Sequence, residues 1–321
     1  MRFIKDLKEG DRIGEVYLIK QKVSAVTKNG KAYYNVTLMD KSGELSGKVW
    51  DPDDPAIDEF EAKEYVELNG EIVTFNGALQ INIRRARKAQ EGQYDPKDYL
   101  PVTPYDPEKM YAELLEFVDS VKNPYLNRLL NFYFREDPEF IKKFRYSSAA
   151  KSMHHGFIGG LLQHTLAVTR LCDYLASRYE KLNRDLLITA AICHDIGKVR
   201  ELSPYPDNDY TNEGNFLGHI VVGVEMIDDA IYGRKGREGI EGFPKILEQE
   251  LKHCIVSHHG EFEFGSPKKP AIIEAIALNF ADNTDAKLQI FTELLENEGT
   301  KSGWLGFKKT LDSNVIVTRT D

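Results

Sequence analysis

Residues 185–198 read DLLITAAICHDIGK, an apolar run that ends in a histidine, an aspartate and a lysine. The run predicts a buried helix over Asp185–Lys198. Adjacent helical residues point about 100° apart, so His194 and Asp195 share one metal ion only if that ion lies near the helix end. An acid at this end opposes the helix dipole unless a cation compensates it. We therefore expect Asp195 to bind metal and to bridge two ions through its two oxygens.

Lys198 follows Asp195 by about one helical turn, so the two side chains lie on the same side of the helix. An amine beside a metal site can hold a phosphate oxygen or stabilise charge that develops in a transition state. The alternative is a lysine that interacts only with the helix dipole.

Further imidazole and carboxylate groups occur on successive predicted helices, and these residue types suit Mn, Fe, Co, Ni or Zn. The chain has eight histidines, and four of them belong to this set with two aspartates. The helices are predicted over Gly160–Arg178, Asp185–Lys198, Gly214–Tyr232, Pro244–His258 and Pro270–Glu296. If they bring the side chains together, a two-metal hydrolytic site results, with the candidate ligands His164, His194, Asp195, His219, His258 and Asp282.

Single members of this set leave alternatives open. A lone histidine such as His164 on an apolar helix is more often a satisfied core residue. His259 is either a further ligand of the second ion or a hydrogen-bond donor behind it. Asp285, one turn beyond Asp282, is predicted to cap the helix or to support a ligand.

Composition narrows the class of protein. The net charge of −9 argues weakly against nucleic acid, but residues 1–90 hold 15 Lys+Arg and 15 Asp+Glu and are neutral. No run of 18 apolar residues occurs, so no membrane span is predicted. The cysteines at 172, 193 and 254 form no motif and have apolar neighbours, which predicts buried free thiols and a reducing cytoplasm.

The first 90 residues show short alternating strands separated by turn signals such as Asn29-Gly30 and Asn76-Gly77. An acidic segment, Asp54–Lys63, is predicted to be helical. Five strands with a helix between the third and the fourth is the order of an OB-fold barrel, although another small antiparallel barrel fits too. The strands are predicted over Asp11–Lys20, Lys31–Met39, Glu44–Trp50, Tyr65–Phe75 and Ala78–Ile83.

OB barrels bind single strands by stacking bases on aromatic rings and pairing phosphates with basic residues. Tyr34 and Trp50 are the candidate stacking residues. Because strand residues alternate between faces, at most one of Tyr33 and Tyr34 belongs to the core. Any single aromatic residue here is more often core than platform. The basic candidates end the fifth strand: Arg84, Arg85 and Arg87.

The composition shifts along the chain predict the domain boundaries. Residues 91–108 carry four of the 13 prolines and no periodicity, which is typical of a linker. We therefore predict a barrel domain at 1–90, a linker at 91–108, an all-helical bundle at 109–310 and a C-terminal tail at 311–321. The tail is either a short strand or a frayed end.

The order His…His-Asp…Lys…His…His-His…Asp resembles the HD-domain phosphohydrolase superfamily. Three sequence motifs look more specifically like the YhaM-type 3′→5′ exoribonuclease family. They are SMHHGFIGGLLQHT (152–165), CHDIGK (193–198) and SHHGEFEFGSPKKP (257–270). That family joins an OB-type domain to an HD domain, the order predicted here. The resemblance covers nearly the whole chain and is weakest in the linker and at the C-terminus.

The resemblance implies two divalent ions, with Mn²⁺ as the first candidate and Co²⁺, Fe²⁺, Ni²⁺ and Zn²⁺ as the others. One ion would take His164, His194, Asp195 and Asp282, and the second would take Asp195, His219 and His258. Asp195, Lys198 and His259 would be catalytic. The predicted substrate contacts in the helical domain are His155, beside a phosphate, Lys198 and Ser266.

The activity implied is hydrolysis of single-stranded RNA, or DNA, from its 3′ end to nucleoside monophosphates, by a cytoplasmic protein that could form homo-oligomers. A cyclic-dinucleotide phosphodiesterase of the HD-GYP type shares the ligand order, but here Gly260 follows the histidine pair instead of Glu. In addition, Gly265-Ser266-Pro267 replaces Gly-Tyr-Pro. A nucleic-acid-binding regulator with a secondary HD domain is the non-enzymatic alternative.

Overall fold

The structure is a computed structural model that describes residues 1–151, 155–234, 236–298 and 303–318. The chain divides into two compact units. One comprises residues 1–102 with 205–207, and the other comprises residues 103–204 with 208–321. Among the described helices, none is long and apolar enough to cross a membrane.

Five strands of the first unit form a closed barrel in the order β1-β2-β3-β5-β4. The pair β3–β5 is parallel and the other neighbours are antiparallel. This strand order and the single parallel closure define an OB-fold, which confirms the predicted fold of this unit. The strands are β1 Arg12–Val26, β2 Ala32–Asp40, β3 Gly43–Val49, β4 Tyr65–Phe75 and β5 Ala78–Lys88.

Alternation along these strands builds the barrel interior. On β2, Val36 and Leu38 are buried, whereas Thr37 between them is partly exposed. On β5, Ile81 and Ile83 are buried in the same alternation, and Ala86 is buried beyond the bulge at which β5 shifts its register against β4. Side chains of opposite character therefore fall on opposite faces because successive strand residues point in opposite directions.

The predicted helix over Asp54–Lys63 is wrong. The Asp54 side chain accepts a hydrogen bond from the Ala56 backbone N–H at 2.8 Å and makes a turn. Beyond it, Asp58 N–H donates to the Ala86 carbonyl at 2.9 Å, and Phe60 is only 1% exposed. The segment pairs with backbone groups of β5, buries Phe60 and packs the partly buried Ile57 against the core, which a short isolated helix could not do.

The second unit contains the helices. The first three begin with proline, and the preceding residue in each case, Asp106, Asn123 or Asp137, caps the helix with its side chain. The bounds are α1 Pro107–Ser120, α2 Pro124–Phe134, α3 Pro138–Tyr146, α4 Gly160–Arg178, α5 Arg184–Cys193, α6 Lys198–Glu201, α7 Asn212–Phe216, α8 Gly218–Tyr232, α9 Lys245–Ser257 and α10 Ile273–Glu298.

Two predicted helices are interrupted. The helix predicted to end at Lys198 ends at Cys193, and α6 starts at Lys198 after a turn. The helix predicted over Gly214–Tyr232 is divided into α7 and α8. Both breaks lie next to predicted metal ligands, so His194, Asp195 and His219 occupy helix ends and a turn, whereas His164 and Asp282 lie within α4 and α10.

The predicted tail at 311–321 contains a strand, and the second unit is not entirely helical. Strands β6 Gly303–Lys308 and β7 Ser313–Val317 form an antiparallel hairpin. Of the two alternatives for the tail, the short strand is the one observed, because β6 supplies its hydrogen-bonding partner. Residues 319–321 of the predicted tail lie outside the described residues.

The Phe60→Ala change tests how strongly the irregular segment stabilises the barrel. Removal of this buried ring should cost about 3–5 kcal/mol of barrel stability. The measurement is urea unfolding of the full chain followed by Trp50 fluorescence, in a Trp304→Phe background that leaves Trp50 as the single tryptophan. Phe75→Ala is the control, since Phe75 is 58% exposed and its loss should cost less than about 0.5 kcal/mol.

Candidate metal centre

The buried carboxylate of Asp195 lies in the turn between α5 and α6 and is 2% exposed. Its Oδ2 atom is 3.4 Å from Nε2 of His194 and 3.6 Å from Nε2 of His164. Its Oδ1 atom is 3.5 Å from Nε2 of His219 and 3.7 Å from Nε2 of His258. The two oxygens therefore face two different sets of imidazoles.

The Oδ2 side forms the first pocket. Nε2 of His164 lies 3.2 Å from Nε2 of His194 and 3.1 Å from Oδ1 of Asp282. Together with Oδ2 of Asp195, these atoms form a set of two imidazoles and two carboxylates, the groups that bind borderline divalent metals. All of the residues predicted for the first ion therefore converge.

The Oδ1 side forms the second pocket. Asp195 Oδ1, His219 Nε2 and His258 Nε2 are buried and have no hydrogen-bond partner among the described residues. Buried polar atoms without a partner are costly and rare. Because these three atoms face one another, they fit a divalent cation, and they are the atoms predicted for the second ion. His259 adjoins them, with its ring centroid 4.3 Å from that of His258.

The imidazoles are oriented from behind through Nδ1, which leaves each Nε2 free to face the pockets. Two of the rings donate to main-chain carbonyls three residues earlier, and a third donates to the carbonyl of Phe264. The remaining two donate to carboxylates. The pairs are His194–Ala191 (2.7 Å), His258–Ile255 (2.7 Å), His259–Phe264 (2.8 Å), His219–Glu201 (3.0 Å) and His164–Asp285 (2.7 Å). Such supporting contacts fix ligand tautomer and orientation.

Sequence reasoning did not identify Glu201 and left the role of Asp285 open. Glu201 accepts hydrogen bonds from both the backbone N–H and Nδ1 of His219. Asp285 lies one turn from Asp282, a spacing visible in the sequence, and contacts His164 from the far side of the ring. No comparable signal marks Glu201, because its contact joins two different helices.

His155, which the resemblance places beside a substrate phosphate, is buried behind Asp285. Its ring is 1% exposed, and Nε2 donates to Asp285 Oδ2 at 2.9 Å. The ring therefore supports the Asp285–His164 pair from the interior. A direct contact between His155 and a substrate phosphate stays a prediction that this geometry does not favour.

Lys198 is brought directly to the bridging carboxylate, with Nζ 2.7 Å from Asp195 Oδ2. Burial lowers the pKa of this amine, but the charge of Asp195 outweighs burial and raises it. Burial likewise raises the pKa of Asp195, and Lys198 and the imidazoles lower it well below its usual range. Both groups are therefore charged.

His164 joins both acids of α10. Burial lowers its pKa, but hydrogen bonds with Asp282 and Asp285 outweigh burial and raise the pKa to about 10. The pKa values of both acids are lowered in return, against the effect of burial. A divalent cation that binds here must displace the proton of His164.

Gly197 allows the two pockets to share Asp195. A Cβ atom at this position would lie 2.1 Å from the His219 carbonyl oxygen and 2.8 Å from the Gly223 amide nitrogen. Only glycine permits α8 to approach the turn so closely, and this approach brings His219 to Asp195. Gly197 belongs to the CHDIGK motif, but its role was not predicted.

The candidate substrate residues on the barrel differ in exposure. Trp50 is 46% exposed and stacks on Tyr33 with ring centroids 5.3 Å apart. Tyr34 is partly buried and contacts Phe60 edge to face, so it packs at least in part against the core.

The basic residues of β5 and the predicted substrate residue Ser266 also differ in solvent exposure. Arg84 and Arg87 are exposed and Arg85 is partly buried. Arg84 pairs with Glu71 at 3.3 Å. Ser266, in the helical unit, is 3% exposed, and its hydroxyl has no hydrogen-bond partner within the described ranges.

Comparison with known proteins agrees with the geometry. Residues 161–287 match the family model of the HD domain, and this range contains every side chain of the two pockets. Residues 161–287 of the helical unit thus form an HD domain.

The chain is also similar to curated relatives over most of its length. It is 35% identical over 290 residues to the 3'-5' exoribonuclease YhaM of Geobacillus sp. (strain WCH70), covering 89% of this chain and 86% of that protein. It is 33% identical over 289 residues to the protein of the same name from Bacillus velezensis, covering 89% and 88%. The chain belongs to the YhaM 3′-5′ exoribonuclease family.

A solved structure similar to part of the chain is the second OB-fold domain of replication protein A from Methanococcus maripaludis. It is 18% identical, covers 29% of this chain and 98% of that chain, and has a TM-score of 0.22. The OB-fold assignment of the barrel rests on its strand order and pairing instead.

Metal stoichiometry tests the shared carboxylate. Asp195→Ala should abolish binding of both ions, whereas His219→Ala should remove only the second, because Asp195 alone faces both pockets. The measurement is elemental analysis after Mn²⁺ loading and gel filtration. His253→Gln, a change on α9 outside the pockets, should keep the wild-type stoichiometry. Full metal content in Asp195→Ala would contradict the assignment.

Proposed function

We propose that this protein is a metal-dependent 3′→5′ exonuclease that hydrolyses single-stranded RNA, and DNA as a second substrate, to nucleoside monophosphates. The observation that carries the proposal is the carboxylate of Asp195 between two pockets of imidazole and carboxylate groups. Membership of a family named for 3′-5′ exoribonuclease activity supports the direction and the substrate.

The proposal includes two divalent ions, with Mn²⁺ preferred over Co²⁺, Fe²⁺, Ni²⁺ and Zn²⁺. His164, His194, Asp195 and Asp282 would hold one, and Asp195, His219 and His258 the other. Bound ions of this kind supply an acidified water and neutralise the attacking and leaving oxygens of a phosphodiester.

Lys198 and His259 have the chemistry for the remaining roles. The charged amine of Lys198, beside Asp195, is placed to neutralise a phosphate oxygen as charge develops. Burial lowers the pKa of His259, so the ring is neutral, and its Nδ1 is committed to the Phe264 carbonyl. Its Nε2 is therefore left to accept or return a proton.

The HD-GYP alternative is not favoured by the comparisons. The position after the histidine pair also has no room for the Glu of that type: Gly260 has φ +81°, and a Cβ there would lie 2.5 Å from the Asn279 amide nitrogen. A regulator with a secondary HD domain would not require both pockets to be complete.

The barrel would hold the single strand. Trp50, stacked on Tyr33, offers an exposed ring for a base, and Lys48 lies 4.7 Å from the Tyr33 centroid. Arg84, Arg85 and Arg87 would pair with phosphates, and Tyr34 would contribute from its partly exposed edge. A cytoplasmic location and assembly into a homo-oligomer belong to the same proposal. Light scattering after size exclusion measures the assembly.

A labelled-RNA assay tests the activity. With Mn²⁺ and 5′-labelled single-stranded RNA, the labelled product should shorten one nucleotide at a time, and mononucleotides should accumulate. Asp195→Ala should reduce the rate by at least about 1000-fold, because it removes both metal pockets, and Arg128→Gln, a change on α2, should not. Internal cleavage, hydrolysis of cyclic dinucleotides only, or binding without cleavage would each contradict the proposal.

Neutralisation of the three arginines at the end of β5 tests whether the barrel binds RNA. The Arg84→Gln, Arg85→Gln, Arg87→Gln triple variant should bind single-stranded RNA more weakly and flatten the log–log dependence of affinity on salt by about 2. Fluorescence anisotropy at several salt concentrations, in an Asp195→Ala background that prevents cleavage, measures both quantities. Arg128→Gln, on α2 of the other unit, is the control. An unchanged salt slope would exclude the run from RNA binding.

A further inference from the structure

The loop between α9 and α10 presents two exposed aromatic rings directly after the His258-His259 pair. Phe262 is 63% exposed and Phe264 is 62% exposed. They belong to one short 3₁₀ turn, Phe262–Phe264. Neither ring contributes to the core of the unit, so packing within the described chain does not account for the pair.

The backbone under these rings is held at both ends. The Phe264 carbonyl accepts the Nδ1–H of His259, and the Phe264 N–H donates to the Glu261 carbonyl at 3.1 Å. At the far end of the loop, the Ala271 N–H donates to Nε2 of His253 at 2.8 Å. A ligand that contacts the rings would therefore meet a preorganised surface and lose little affinity to ordering the loop.

The turn is also close to the metal pockets. One hydrogen bond joins Phe264 to His259, and the ring of His259 lies 5.2 Å from that of His219, centroid to centroid. The exposed rings thus stand on the segment that orients an imidazole beside the second pocket. A molecule bound against them would have its neighbouring groups next to the metal centre.

Basic groups adjoin the rings. Lys269 Nζ lies 5.6 Å from the centroid of Phe262, and Lys268 is exposed. Exposed aromatic rings with nearby cations match the two components of a single strand, flat bases and phosphates. Lys269 also pairs with Glu261 of the same loop at 2.5 Å, so Lys268 is the cation that this loop offers to a phosphate.

We propose that Phe262 and Phe264 form a stacking platform for the unpaired bases at the 3′ end of the substrate strand, which places the terminal phosphodiester at the metal pockets. This inference rests on the proposed exonuclease function. It adds a second surface that recognises the strand, besides the one proposed on the barrel. Stacking would accept every base, because each has a π-face, and would require that the base be unpaired.

A paired-substrate experiment tests the platform. The substrates are one RNA with an ordinary 3′-terminal nucleotide and the same RNA with an abasic one. For the Mn²⁺-loaded wild-type protein, kcat/KM should fall about 10- to 100-fold on the abasic RNA. The Phe262→Ala, Phe264→Ala double variant should lose a similar factor on ordinary RNA and little more on abasic RNA.

The controls separate stacking from structural damage. Phe262→Tyr with Phe264→Tyr should restore kcat/KM, and the double alanine variant should keep its full Mn²⁺ content. Phe307→Ala, which removes a ring of 60% exposure on β6, should leave the rates unchanged. A binding readout is the quenching of 2-aminopurine fluorescence at the 3′-terminal position of an RNA whose last linkage is a phosphorothioate.

The outcomes are distinguishable. The platform would be overturned if the double alanine variant lost the same factor in kcat/KM on both RNAs, or lost nothing on ordinary RNA. The exonuclease function would stand in either case. Absence of 3′→5′ hydrolysis by the wild-type protein would overturn the proposed function. If the wild-type protein also failed to quench the 2-aminopurine at the 3′ end of the RNA, the platform would be overturned as well.

Discussion

The helical unit depends on one buried charge. Asp195 is nearly inaccessible, and a carboxylate in such a place is costly unless cations and hydrogen-bond donors surround it. Lys198 supplies a cation from the next turn of chain. The remaining compensation comes from the neighbouring His194 and from three imidazoles on other segments, and these three converge only because α4, α8 and α9 pack with their ligand-bearing ends at the same turn. The packing of the unit and the charge of this carboxylate are therefore coupled.

The imidazoles are positioned by two kinds of contact. His194 and His258 donate to carbonyls three residues earlier, so the end of each helix fixes its own ligand. His164 and His219 depend on carboxylates from other helices, Asp285 and Glu201. The first kind follows from local geometry alone, whereas the second exists only after the helices have packed. Each pocket contains one ligand of each kind, so neither pocket can be complete before the tertiary fold.

This division explains how much could be predicted from the sequence. Periodicity located α4 with the same bounds, Gly160–Arg178, and residue chemistry selected the side chains of both pockets. The partners that depend on packing, such as Glu201 and Gly197, gave no periodic signal. The helix predicted over Asp54–Lys63 was wrong because the prediction rested on the acidic composition of the segment, whereas hydrogen bonds with the backbone of Ala86 on β5 decided its conformation. The C-terminal hairpin was missed because its two strands stabilise each other and neither is distinctive alone.

His259 connects the two sides of the centre. Its Nδ1–H is bonded to the carbonyl of Phe264, so the orientation of the ring and the position of the 3₁₀ turn are not independent. Any ligand that favours one arrangement of the turn must favour the matching orientation of His259. Because such coupling is reciprocal, a change in the orientation of His259 must alter the affinity of that ligand by the same factor. The hydrogen bond therefore couples the 3₁₀ turn to the imidazole that adjoins the second pocket.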